Sequence, residues 1–311
     1  MYGGPRVGPG HYEPDRVPVE VLRYAGGLDT LPSGSPGKVG VLELEFARTQ
    51  HGTELVEHYQ KSPLQIMRPL YYDLLRPDMP YTYLMSTGAG IMQGDRLRTD
   101  LGFGPGTSAH VTTSAYTRVL RMDHDYAVAL TNLRVDDDAY VEHLPDPLVA
   151  FAGSRLYQRT RVTLAPSATL LLGEAFVSGR LARGERHGYA VFASDVEVRR
   201  PDGTPVAIDR LRLVPSAIGS LAVLDDHDVV AMLYVLTHRA SAAELSDLLH
   251  DALATCAPEL RVGVSTLPGD AGAWVRMLGD DTQDVLRATT LAWTAVRRRL
   301  TGDDAPTIRK C

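Results

Sequence analysis

The chain has 311 residues, with 32 Lys and Arg against 38 Asp and Glu, a net charge of −6, and 44% hydrophobic and 23% charged residues. These values exclude a disordered, collagenous or coiled-coil chain, and the acidic balance argues against nucleic-acid binding, which needs a basic face to displace counterions. Two cysteines, Cys256 and Cys311, cannot build a disulfide framework, and no run of about 18 apolar residues is present to cross a membrane, so a cytoplasmic protein with no membrane partner is expected.

Residues 1–37 are rich in Gly and Pro, with Pro5, Pro9, Pro14 and Pro18 and then the run Pro32 to Gly37. They lack the apolar segment of a secretory signal and read as a flexible arm without regular elements. From Lys38 the pattern changes. Val39 to Phe46, Val111 to Thr113, Ala139 to Val141, Thr160 to Leu164, Thr169 to Leu172 and Val229 to Thr237 are rich in Val, Thr, Leu and Tyr and bounded by Gly, Pro and Asp. They predict strands over most of a core spanning 38–237. Turn residues before Ala109, Ala139 and Ala168 recur at intervals of 30 and 29 residues, and Asp202-Gly203 marks a hairpin. This spacing suits stacked β-layers of a solenoid or an evenly turned β-sandwich, and periodicity alone leaves both open.

Residues 238–311 predict a helical region packed on that core. Ser241 and Glu244 form a capping-box pair before a run over 242–256 that Pro258 stops. A second helix is expected over 282–300, with Leu286, Thr289, Trp293, Val296 and Leu300 on one face. Arg297, Arg298 and Arg299 then complement the C-terminal dipole before Gly302.

No self-sufficient catalytic constellation appears. Gly88 to Asp95 has Gln93 where a dinucleotide fingerprint needs Gly, and an alternating segment follows instead of a helix, so a tight turn with close backbone approach is the better reading. Asp123-His124-Asp125 and Asp226-His227-Asp228 place a His between carboxylates, as a cation site or a polar turn would. Glu142 and Glu174 interrupt apolar text, where an ionised carboxylate is costly unless solvated, paired or metal-bound. Pairing with Arg155, Arg159, Arg161, Arg180 or Arg183 is one solution. A polar conduit is another. A third is a carboxylate pair 32 residues apart on adjacent layers, as a glycan-cleaving β-helix would carry. A passive β-solenoid binding module is the remaining alternative.

Several motifs in order carry a family resemblance. They are Gly88 to Leu97, Gly104-Pro105-Gly106, Thr112 to Val119, Glu142 to Asp146, Arg155 to Thr160, Glu174 to Arg180, and Arg183-Gly184-Glu185. Over residues 60–215 this set closely resembles the UreD, or UreH, family of urease accessory proteins. The resemblance implies a mainly β, two-layered β-helix-like stack with two C-terminal helices. It implies a non-catalytic scaffold for nickel insertion that binds apo-urease and UreF, and through UreF the GTPase UreG. No cofactor would be bound permanently, and Ni²⁺ would pass through an internal tunnel. On this reading Asp95, Asp146 and Glu174 are the transit carboxylates, and Gly88, Gly90, Gly94, Thr117, Glu142 and Arg180 belong to the tunnel or its structural motif. Weakly held carboxylate oxygens suit transit, since a site must release what it binds.

Overall fold

Two one-turn helices, α1 (Pro9–Tyr12) and α2 (Val19–Leu22), precede the strands β1 (Val39–Thr49), β2 (Gly52–Lys61), β3 (Leu64–Ile66), β4 (Tyr81–Ser86), β5 (Arg96–Phe103), β6 (Ser108–Thr113), β7 (Thr117–Val119), β8 (Ala127–Val135), β9 (Tyr140–His143), β10 (Leu148–Ala150), β11 (Arg155–Leu164), β12 (Thr169–Val177), β13 (Val191–Arg199), β14 (Pro205–Leu213) and β15 (Val229–Leu236). Helix α3 (Ala242–Leu253), strands β16 (Arg261–Thr266) and β17 (Gly272–Gly279) and helix α4 (Thr282–Thr301) follow. The structure is a computed structural model that describes residue 6 and residues 8–26, 38–217, 224–256, 259–308 and 310. Pro258 and Cys311 lie outside the described residues.

The strands form two sheets. One has the order β14-β13-β11-β8-β5-β1-β2, and the other β16-β17-β15-β12-β9-β6-β4-β3, with β7 and β10 attached beside β12. Between β4 and β13 the chain alternates between sheets, so β5, β8, β11 and β13 pair in parallel in one layer and β4, β6, β9 and β12 in the other. The protein is mainly β, a solenoid-like stack of about four coils. The register refines the sequence repeat. Ser108, Tyr140 and Thr169 are partners across β6, β9 and β12. Ala139 and Ala168 each stand one residue before their partner, whereas Ala109 stands one after. The first interval is therefore 32 residues rather than 30: the turns before β6, β9 and β12 are each four residues long, and Ala109 is not the equivalent of Ala139 and Ala168 because it already lies within β6.

Alternation along the strands builds three apolar layers. Leu42, Leu101, Leu133, Val162, Leu170 and Phe176 belong to the core between the sheets. Tyr81, Leu171, Leu233 and Val275 face the other way and pack with Leu245, Leu249, Val285 and Trp293 of α3 and α4. Val21 of α2 is fully buried against Tyr126, Val128 and Tyr157 on the outer face of the seven-stranded sheet. The Gly/Pro-rich arm thus contains two helical turns that its composition did not predict. A single apolar residue with a prepared surface beneath it is enough to dock one of them.

The C-terminal region also departs from a purely helical reading. Strands β16 and β17 extend the ten-stranded sheet, and α3 and α4 cover them. Ser241 Oγ accepts from Glu244 N at 3.2 Å, as the cap requires, but the Glu244 carboxylate pairs with Arg299. Gly302 ends α4 in the left-handed region at φ 83°. Arg297 does not serve the helix dipole, because its side chain turns inward and is fully buried.

Candidate functional site

The interlayer holds a polar band among its apolar side chains. Thr99, Thr131 and Thr160 are register partners on β5, β8 and β11, all on the inward face. The same row continues through Val196 to Asp209 on β14. On the facing sheet Glu174, Met232 and Arg276 form one row across β12, β15 and β17. The rows join at two points. Thr160 Oγ1 donates to Glu174 Oε1 at 3.1 Å and Ser194 Oγ to Glu174 Oε2 at 2.9 Å. Further along, Tyr234 Oη donates to Asp209 at 2.6 Å and Arg276 Nη2 lies 3.1 Å from the same oxygen.

Glu174 is therefore held by neutral hydroxyls, with Gln158 Nε2 supporting Ser194 at 3.1 Å. No arginine pairs with it among the described residues, so the ion-pair reading fails for this residue. Burial raises its pKa to about 7, against the pull of the two hydroxyls and with a further push from Asp209. His143 also faces this space. Burial lowers its pKa to about 4, and its Nδ1 has no hydrogen-bond partner among the described residues. A neutral, under-satisfied imidazole and a carboxyl poised near neutrality suit a space that takes up water or a cation.

Where the row reaches the glycine motif, a cavity of about 220 Å³ opens, lined by Thr99, Thr131, Thr113, Gly88, Gly90 and Thr117 among others. Gly90 adopts φ 151°, and a Cβ there would lie 2.4 Å from the Arg118 carbonyl oxygen. Close approach at that point lets Ile91 N donate to Arg118 O at 2.7 Å. The motif is thus the tight turn that the sequence suggests.

The three carboxylates that the resemblance singles out, Asp95, Asp146 and Glu174, have separate partners. Asp95 is buried, and its oxygens accept from Lys38 N at 2.9 Å and Met92 N at 2.8 Å, closing the turn at Gly94. Asp146 accepts from Thr113 Oγ1 at 3.2 Å and from Lys310 Nζ at 2.7 Å. Thr113 lines the cavity, so Asp146 stands directly behind its wall. Arg180 makes a two-pronged bond to Glu185 at 2.7 and 2.9 Å, which holds the Glu185 pKa down at about 2. The two Asp-His-Asp segments lie in turns, with Asp125 and Asp226 in the left-handed region.

Glu142 does not stack on Glu174. Its register partner on β12 is Leu171, three residues from Glu174, so the two carboxylates lie on opposite faces of the ten-stranded sheet. That placement overturns the paired-carboxylate reading, which needs both groups on one substrate. Glu142 belongs to a buried cluster beneath α4. Its oxygens accept from Tyr140 Oη and His110 Nδ1, each at 2.8 Å, and Arg297 Nη1 lies 3.4 Å away. Arg297 also pairs with Asp73, which accepts from Tyr81 Oη at 2.8 Å. Burial opposes ionisation of Glu142, but His110 and Arg297 outweigh it, and its pKa falls below the ordinary carboxylate value. The arginine partner expected for Glu142 exists, but it is none of the five candidates named from the sequence.

Sequence reasoning missed Asp73, His110 and Arg297, as well as Thr160 and Ser194. One signal was available for Arg297. It follows Trp293 by four residues, on the apolar stripe of α4. Another grouping was not visible. His11, Glu43 and Asp100 each place one ligand atom within 4.8 Å of the others, but Arg6 and Arg98 already hold the two carboxylates.

Fold and site together define a two-layered β-helix scaffold with a polar seam between its layers. A family model described as "UreD urease accessory protein" matches residues 38–310. A relative from Streptomyces griseus, "Urease accessory protein UreD 2", is 53% identical over 286 residues, covering 91% of this chain and 97% of that protein. "Urease accessory protein UreD" of Haloarcula marismortui is 39% identical over 89% of this chain and 92% of its own length. "Urease accessory protein UreD 3" of Methylorubrum populi is 34% identical over 93% and 95%. The chain belongs to the UreD family of urease accessory proteins.

Proposed function

We propose that this protein is a non-catalytic maturation factor for urease, acting as a scaffold through which Ni²⁺, its cargo, reaches the apo-enzyme. Family membership supports the maturation role. The observation that carries the transit reading is Glu174, an interlayer carboxyl bonded by two hydroxyls and, among the described residues, with no cationic side chain paired to it. A carboxylate neutralised by arginine has little to offer a passing cation, whereas one held by Thr and Ser hydroxyls, with its pKa raised to about 7 by burial, can give up its proton to a cation that enters. The row Thr99–Thr131–Thr160 supplies further oxygens that bind a divalent ion weakly enough to release it. Asp146 stands behind one end of that row, while Asp95 serves the turn that shapes the cavity. UreF, UreG through UreF, and apo-urease are the proposed partners.

Co-expression with urease and the other accessory proteins tests this reading. Glu174→Gln is expected to leave the protein folded and able to co-purify with UreF and urease while lowering urease nickel content. Fully nickel-loaded urease from cells carrying that variant at normal levels would overturn the transit role of Glu174.

A further inference from the structure

After α4, residues 304–307 and Lys310 line an apolar groove of about 1000 Å³ together with Met67, Tyr72, Leu74, Leu75 and Tyr83. Ala305 and Ile308 are partly buried on the helix-side core. Two residues further on, Lys310 Nζ lies 2.7 Å from Asp146 Oδ1 and 2.9 Å from Thr112 Oγ1. The receiving oxygens are set independently of the tail. Asp146 lies between Pro145 and Pro147, its backbone N–H donates to Thr113 Oγ1 at 2.8 Å, and the same hydroxyl donates back to Oδ2 at 3.2 Å. Thr112 Oγ1 spends its proton on Leu144 O at 2.7 Å, which leaves lone pairs facing the ammonium. Asp146 retains 12% of its side-chain exposure and Lys310 retains 25%. Burial also lowers the Lys310 pKa, against the pull of Asp146.

We propose that Asp146 and Thr112 form a divalent-cation site that the tail keeps filled with the Lys310 ammonium, so that a metal ion enters only when the tail is displaced. The inference rests on the reading of Asp146 as a transit residue and adds its regulation. A carboxylate and a hydroxyl are hard oxygen donors of the kind that hold such ions loosely. The ammonium contacts both at cation-like distances. The segment leading to Lys310 is held by Ala305 and Ile308, both only partly buried, and by Asp304, whose Oδ1 accepts from Arg298 Nε at 2.5 Å.

Titration of the full chain with nickel chloride, followed by calorimetry, tests the proposal. Lys310→Met is expected to tighten binding at one site by about fivefold, the most that a partly exposed ion pair competes for. The gain should vanish in Lys310→Met/Asp146→Asn and be absent in Lys310→Arg. Lys310→Gln gives the same test if the Met variant is poorly soluble. An unchanged titration for the Met or Gln variant, or a gain that survives Asp146→Asn, would overturn the proposal. Urease activation by Asp146→Asn separates the two readings. Full nickel loading removes Asp146 from the transit route but leaves a tightened titration standing as evidence for the site.

Discussion

Arg297 of α4 and Glu142 of β9 face each other at 3.4 Å with no solvent exposure on either side chain. They are separated by 155 residues in the chain, and Asp73 and Tyr81 complete the network from a third segment. The cluster fixes the position of α4 on the ten-stranded sheet. It lies on the opposite face of that sheet from Glu174, so one layer carries a helix-side carboxylate outward and an interlayer carboxyl inward.

Replacing Arg297 with Met should destabilise the protein by about 3–5 kcal/mol, because Asp73 and Glu142 would remain buried without their cation. Urea unfolding followed by circular dichroism measures the loss. A change below about 1 kcal/mol would show that the cluster holds itself together without the arginine.

Glu174 makes stability depend on pH. Its pKa is about 7 in the folded protein against the ordinary 4.5, so the native state holds the extra proton between those values. Stability should therefore be greatest at and below about pH 4.5 as far as this group is concerned. It should fall as pH rises through 7, by roughly 3 kcal/mol in total. Glu174→Gln removes that dependence. The difference between wild-type and variant unfolding free energies, measured from pH 5 to pH 8, should grow with pH in favour of the variant.

Gly90→Ala places a methyl group 2.4 Å from the Arg118 carbonyl oxygen at a φ that L-residues avoid. A loss of about 2–3 kcal/mol is expected. Gly184, at φ 70° with nothing near its missing Cβ, is the control, and its Ala variant should cost about 1 kcal/mol. Thermal unfolding of the two variants side by side checks the order.

Ser241→Ala removes the side chain that accepts from Glu244 N at the start of α3. The expected cost is about 1 kcal/mol, the usual value of an N-cap. Hydrogen exchange should localise the effect to the first turn of that helix, since Leu245, Leu249 and Leu253 anchor the remainder.

Local chemistry was legible in the sequence. Alternating Val, Leu and Thr between turn residues marked the strands, Ser241 and Gly302 marked helix ends, and Gly90 marked a close backbone approach. These are properties of a residue and its immediate neighbours, so no fold is needed to read them. The ordered motifs from Gly88 to Glu185 pointed to the family for the same reason. Only the tertiary structure decided which carboxylate does what. Glu142 and Glu174 look alike in the sequence, each a charge within an apolar run. Register places one beneath α4 and the other between the sheets, because a shift of three residues along a strand reverses the face. Nor could the sequence say that Arg297, one of three consecutive arginines, would be the one drawn inward. That depended on where α4 lies relative to Asp73 and Glu142, and only packing of the whole chain sets that distance.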